Sequence, residues 1–101
     1  MMANNFKISI HRNSDNLHMK LVGDFDGTSA HLLINALKAK MRRASKVFIH
    51  TECLENIYPF GSGTFLSNLD FVNGNSVTLV FTGDKARQLA PENNKQDCII
   101  C

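Results

Sequence analysis

Nowhere in the 101-residue sequence do about 18 apolar residues follow one another, so no membrane-spanning helix is expected. Residues Met1 to Ile10 lack the long apolar segment of a secretory signal. Cysteine is scarce and odd in number: Cys53, Cys98 and Cys101. A secreted disulfide framework favours an even count, and the chain holds no Asn-x-Ser/Thr sequon. These absences point to a cytosolic chain, bacterial in style. A large excess of one charge is also missing, with eleven Lys and Arg against nine Asp and Glu and a net charge of +2. With 44% apolar and 20% charged residues, the composition excludes a disordered tail and suits one small globular domain.

The local absences are sharper. Residues 28–50 contain no anion but five cations, Lys38, Lys40, Arg42, Arg43 and Lys46. Residues 51–75 contain no cation but three anions, Glu52, Glu55 and Asp70. No aromatic residue is interleaved with the basic run, which disfavours single-strand nucleic-acid binding and suits a solvated helix end. The four histidines, His11, His18, His31 and His50, show no metal-ligand spacing; His11 and His18 could meet across a hairpin, but two imidazoles are an incomplete site. His50 and Cys53 are three apart and would point to opposite faces of a strand. Gly61-Ser62-Gly63 lacks the lysine of a phosphate-binding loop. No metal and no cofactor is expected.

What is present is periodicity. Phe6, Ile8 and Ile10 alternate with polar residues, as do Leu17, Met19 and Leu21, with turn residues Asn13 to Asn16 between them. This predicts an antiparallel hairpin covered on one face. Gly23 to Gly27 breaks the pattern, and Thr28 or Ser29 can cap a following helix. Ala30, Leu33, Ile34, Leu37 and Met41 share one stripe of that helix. Val47 to Ile49 reads as a buried parallel strand and Thr51 to Pro59 as a loop. Gly61 and Ser62 open a second helix with Phe65, Leu69 and Val72 inside, ended by Asn73-Gly74-Asn75. Val77 to Phe81 is a fourth strand, and a short helix over Lys85 to Leu89 stops at Pro91. The expected fold is α/β: a mixed four-stranded sheet, an N-terminal β-hairpin then β-α-β units, with helices mainly on one face. Residues 1–5 are expected to form a flexible N-terminus, 6–90 the domain, and 91–101 a polar tail.

The ending Cys98-Ile99-Ile100-Cys101 offers two metal ligands where structural zinc wants four, and its last residue is not a usual one for prenylation. A loosely docked tail is the simpler reading.

The order of motifs resembles the STAS domain, the family of anti-sigma factor antagonists and sulfate-transporter cytoplasmic domains. Leu21-Val22-Gly23-Asp24-Phe25-Asp26 is similar to its Leu-x-Gly-x-Leu-Asp, and Ser29-Ala30 to its Thr-Ala. Ile57-Tyr58-Pro59-Phe60-Gly61 falls where the family has Ile-Asp-Ser-Ser/Thr-Gly. The resemblance implies a non-enzymatic domain that binds an anti-sigma factor or a histidine-kinase-like ATPase. It implies a partner surface of Asp26, Tyr58, Pro59, Phe60, Gly61 and Ser62, to which Phe71 is added from its place off the inner stripe. It also implies a phosphorylation switch at the start of the second helix, where backbone N–H groups favour an anion. Here Pro59 and Phe60 replace the family's two hydroxyl residues, and neither accepts phosphate. Ser62, Thr64 and Tyr58 are the hydroxyls nearby, with Ser62 the candidate phosphoacceptor. Asp26 reads equally as a helix cap, and Tyr58 and Phe60 equally as core residues under the loop. The alternative is a small magnesium-dependent phosphatase, since Asp24-Phe25-Asp26-Gly27-Thr28 resembles the haloacid-dehalogenase signature with Asp24 as nucleophile and Asp26 as acid/base. Gly23 interrupts the strand that should feed that nucleophile.

Overall fold

The computed structural model describes residues 5–70, 72, 77–90 and 98–100. Strand β1 (Lys7–Asn13) and strand β2 (Asn16–Phe25) form the expected antiparallel hairpin, joined by a two-residue turn in which Ser14 has φ of 61°. Helix α1 (Gly27–Lys40) runs into a short 3-10 turn, followed by strand β3 (Lys46–Ile57) and helix α2 (Pro59–Ser67). Strand β4 (Thr78–Thr82), helix α3 (Ala86–Leu89) and strand β5 (Cys98–Ile100) complete the chain. The sheet order follows the chain, β1-β2-β3-β4-β5, with β1 antiparallel and every later pair parallel. The hairpin, the parallel core strands and the three helices are as the sequence predicts.

One face of the sheet carries the core. Leu17, Met19, Leu21 and Phe25 of β2, Val47, Ile49 and Leu54 of β3, and Leu79 and Phe81 of β4 are buried against Ala30, Leu33, Ile34 and Leu37 of α1 and Phe65 of α2. Phe65 sits edge-on between Phe25 and Phe81, with ring centroids 6.0 and 6.2 Å away. On the other face His18, Phe48, His50 and Thr82 are half-buried and Lys20 is exposed.

Four boundaries differ from the sequence reading. Asp26, not Thr28 or Ser29, caps α1. The span read as a loop from Thr51 is strand as far as Ile57. Three residues of β3 step past two of β2 between His50 and Cys53, and two past one between Leu54 and Asn56. These bulges destroy the two-residue alternation that makes a strand legible. Helix α2 starts at Pro59 and ends at Ser67, so Leu69 and Val72 are buried beyond it rather than within it. Residues 98–100, read as part of a tail, form a fifth strand beside β4. Asn73 to Asn75 and Cys101 lie outside the described residues.

Candidate functional site

Parallel pairing sets Phe25 of β2 beside Ile57 of β3, so both strands end at one place and hand over to α1 and α2 there. The amide of Tyr58 donates to the Phe25 carbonyl at 3.0 Å. Two glycines let the helix starts close on each other. A Cβ on Gly61 would lie 2.6 Å from the Phe25 carbonyl oxygen and 2.8 Å from the Asp26 backbone. A Cβ on Gly27 would lie 2.8 Å from the Phe60 ring. Gly61 is thus required by close backbone approach, and Phe60 lies across Gly27.

The remaining side chains divide. Tyr58 is 47% and Phe60 77% exposed, so neither closes the core. Leu32 of α1 and Leu66 of α2 are also exposed; the signal for Leu32 was its place off the inner stripe of α1. A shallow groove runs between Pro59, Phe60, Gly63, Thr64, Ser67 and Asn68. Phe71 lies outside the described residues.

Asp26 serves the fold directly. Its carboxylate accepts from the Ser29 amide at 2.9 Å and the Ser29 hydroxyl at 3.0 Å. The bond from the Ser29 amide holds its pKa below the ordinary carboxylate value, against a smaller opposing effect of burial. Asp24 faces elsewhere, accepting from the Asn56 side chain at 2.9 Å. The two carboxylates of the phosphatase-like motif therefore answer to different neighbours. Among the described residues no three His, Cys, Asp or Glu side chains are grouped to hold a metal ion.

Pro59 occupies the first position of α2, where its missing N–H costs nothing. The Gly61 and Ser62 amides both donate to the Tyr58 carbonyl, at 2.9 and 3.0 Å. The first turn thus has few free donors for an anion. The Ser62 hydroxyl donates to the Pro59 carbonyl at 3.2 Å. Ser62 is a first-turn residue of α2, not its cap.

No family model and no curated protein matches the sequence. Solved structures do match. The anti-sigma factor antagonist SpoIIAA in its unphosphorylated form superposes with a TM-score of 0.58 at 11% identity, over 76% of this chain and 71% of that one. The fold is that of a STAS-like domain. A DUF3478-family protein with a SpoIIAA-like fold, from Shewanella loihica PV-4, gives 0.57 at 19% identity over 83% of this chain and 72% of that one. The structure of Mglu gives 0.65 at 15% identity over 84% of this chain, which spans only 20% of that longer chain. The STAS-like fold explains the hairpin followed by parallel strands. Among the described residues no helix is long and apolar enough to cross a membrane.

Proposed function

We propose that the chain is a non-enzymatic regulatory interaction domain of the anti-sigma factor antagonist kind, working in a bacterial cytoplasm. Its partner would be an anti-sigma factor or a histidine-kinase-like ATPase. The observation that carries this reading is the pair of exposed aromatics, Tyr58 and Phe60, at the start of α2 in a SpoIIAA-like fold. Aromatic side chains that stand in water gain most when a partner desolvates them. Asp26, Pro59, Gly61 and Ser62 shape the same surface, and Phe71 is proposed as a further contact. Glu55, near the end of β3 that leads into Tyr58, favours a basic partner face, which steers the encounter and weakens with salt.

Binding in this reading is constitutive. The two positions that carry hydroxyls in the STAS family are Pro59 and Phe60 here, and the α2 first turn spends its Gly61 and Ser62 amides on Tyr58. Ser62 is the residue on which a kinase would have to act.

The test titrates an anti-sigma factor or kinase-like ATPase from the same organism against the parent and Phe60→Ala. The variant should bind about tenfold more weakly or worse, which is about 1.4 kcal/mol, with its melting temperature unchanged. Equal binding of both proteins would overturn the surface. Mass spectrometry after incubation with the kinase and ATP should find Ser62 unmodified. Hydrolysis of para-nitrophenyl phosphate that disappears in Asp24→Asn would overturn the non-enzymatic reading.

A further inference from the structure

The sheet face away from the helices holds an arrangement that the partner surface does not use. His18 on β2 and His50 on β3 lie side by side, with Nδ1 of His18 3.0 Å from Nε2 of His50. Nδ1 of His50 is 2.7 Å from the Thr82 hydroxyl on β4. That hydroxyl donates to the Glu52 carboxylate, whose oxygens lie 3.4 and 3.3 Å away. The Phe48 ring is parallel to His18 within 6°, with centroids 4.6 Å apart.

Counting protons fixes the direction of this chain. A carboxylate only accepts, so Thr82 gives Glu52 its one proton and must accept from His50 Nδ1–H. His50 Nε2 is then bare and accepts from His18 Nδ1–H. Every bond runs toward Glu52. Only Nε2 of His18 is left to take up a proton with the chain intact. Protons on both His18 Nδ1 and His50 Nε2 would meet head-on and break the contact. A charged His18 also gains the face of Phe48, within cation–π distance.

We propose that His18 and His50 form a one-proton clasp on the open sheet face. It takes up a first proton at Nε2 of His18 with its hydrogen bonds kept and the charge shared between the two rings, and it opens when a second is bound. The surrounding charges are mixed. His11 of β1 stands opposite His18, Lys20 of β2 stands opposite His50, and Lys46 precedes Phe48 on β3, while Glu52 opposes them. Burial pushes the His50 pKa down; Glu52 pulls it up, and His18 and Lys20 push it further down. The clasp also has a mechanical position. Thr82 ties β4 to the β3 bulge through Glu52, and its carbonyl accepts from the Thr51 hydroxyl at 2.7 Å. Opening the His50 end removes a support next to the bulge from which β3 runs on toward Tyr58.

The experiment is a long-range proton–nitrogen NMR titration of the histidine-labelled protein, from about pH 8 to about pH 5, across the histidine range. At high pH both His18 and His50 should carry their proton on Nδ1. On acidification Nε2 of His18 should gain a proton first, with one proton held between the rings, and a second should bind only later. Thr82→Val should release His50 from the Nδ1–H form, while far-ultraviolet circular dichroism confirms the fold. An Nε2–H form of either ring at high pH would overturn the clasp. So would both rings becoming doubly protonated in a single step, or a His50 tautomer indifferent to Thr82→Val.

Discussion

Asp26 stands where β2 turns into α1, and its carboxylate satisfies a first-turn amide that would otherwise lack a partner. Removing it should be felt throughout the helix. Asp26→Ala is expected to lose about 1 kcal/mol in urea denaturation, whereas Asp26→Asn keeps an acceptor and should stay within a few tenths. The pair separates capping from charge: if the partner reads the charge, Asp26→Asn weakens binding at unchanged stability. The sign of the acid response follows from the lowered pKa. Stability from Asp26 is fully present above the ordinary value of 3.8 and is lost as the pH falls through the lower folded-state value. Denaturation at neutral and strongly acidic pH, compared between parent and Asp26→Asn, measures it.

The elements repeat the lesson that spacing is decided by what lies opposite. Gly61 and Gly63 are two residues apart in α2, yet they face different neighbours. Gly61 abuts the Phe25 and Asp26 backbone, while a Cβ on Gly63 meets nothing within 4 Å. Gly61→Ala should therefore destabilise the fold and shift the α2 start, and Gly63→Ala should stabilise it by about 0.5–1 kcal/mol through lost chain entropy. Urea midpoints of the two variants against the parent check the opposite signs. Much of the element order was legible because Leu17 to Leu21 and Ala30 to Leu37 carry clean periods of two and 3.6. The second half of β3 was not, because its bulges put Thr51, Leu54 and Ile57 inward at intervals of three. The three residues of β5 are too few to show any period at all.

At the scale of the whole molecule, charge and proton uptake are distributed unevenly. Asp26 and the proposed partner surface lie at one end of α1; Lys38 and Lys40 lie at the other, about 20 Å away by helix rise. Arg12 joins that pole by donating to the Lys40 carbonyl at 2.7 Å. Cations there complement the helix C-terminus and stay clear of the partner surface. Global stability should also respond to His50. Its pKa is lowered on folding, so the unfolded chain takes the proton first. The His50 contribution is present above the ordinary value of 6.5 and is lost as the pH falls through the folded value. The parent should thus lose more stability than His50→Gln between neutral and mildly acidic pH, as urea denaturation at both would read.

By itself the sequence determined which residues of β2 and α1 face inward, the order of the first four strands and the helices, and the loss of hydroxyls at Pro59 and Phe60. Those properties are local, set by side-chain periodicity and by the chemistry of single residues. Only the tertiary structure decided that Gly61 presses on Asp26, that Tyr58 and Phe60 stand in solvent, and that His18 meets His50. His18 and His50 are 32 residues apart, and they are brought together by the register of parallel strands linked through α1. That register is set by burial on the opposite face of the sheet, where Met19 and Ile49 pack, and not by anything in the histidines' own sequence neighbourhood.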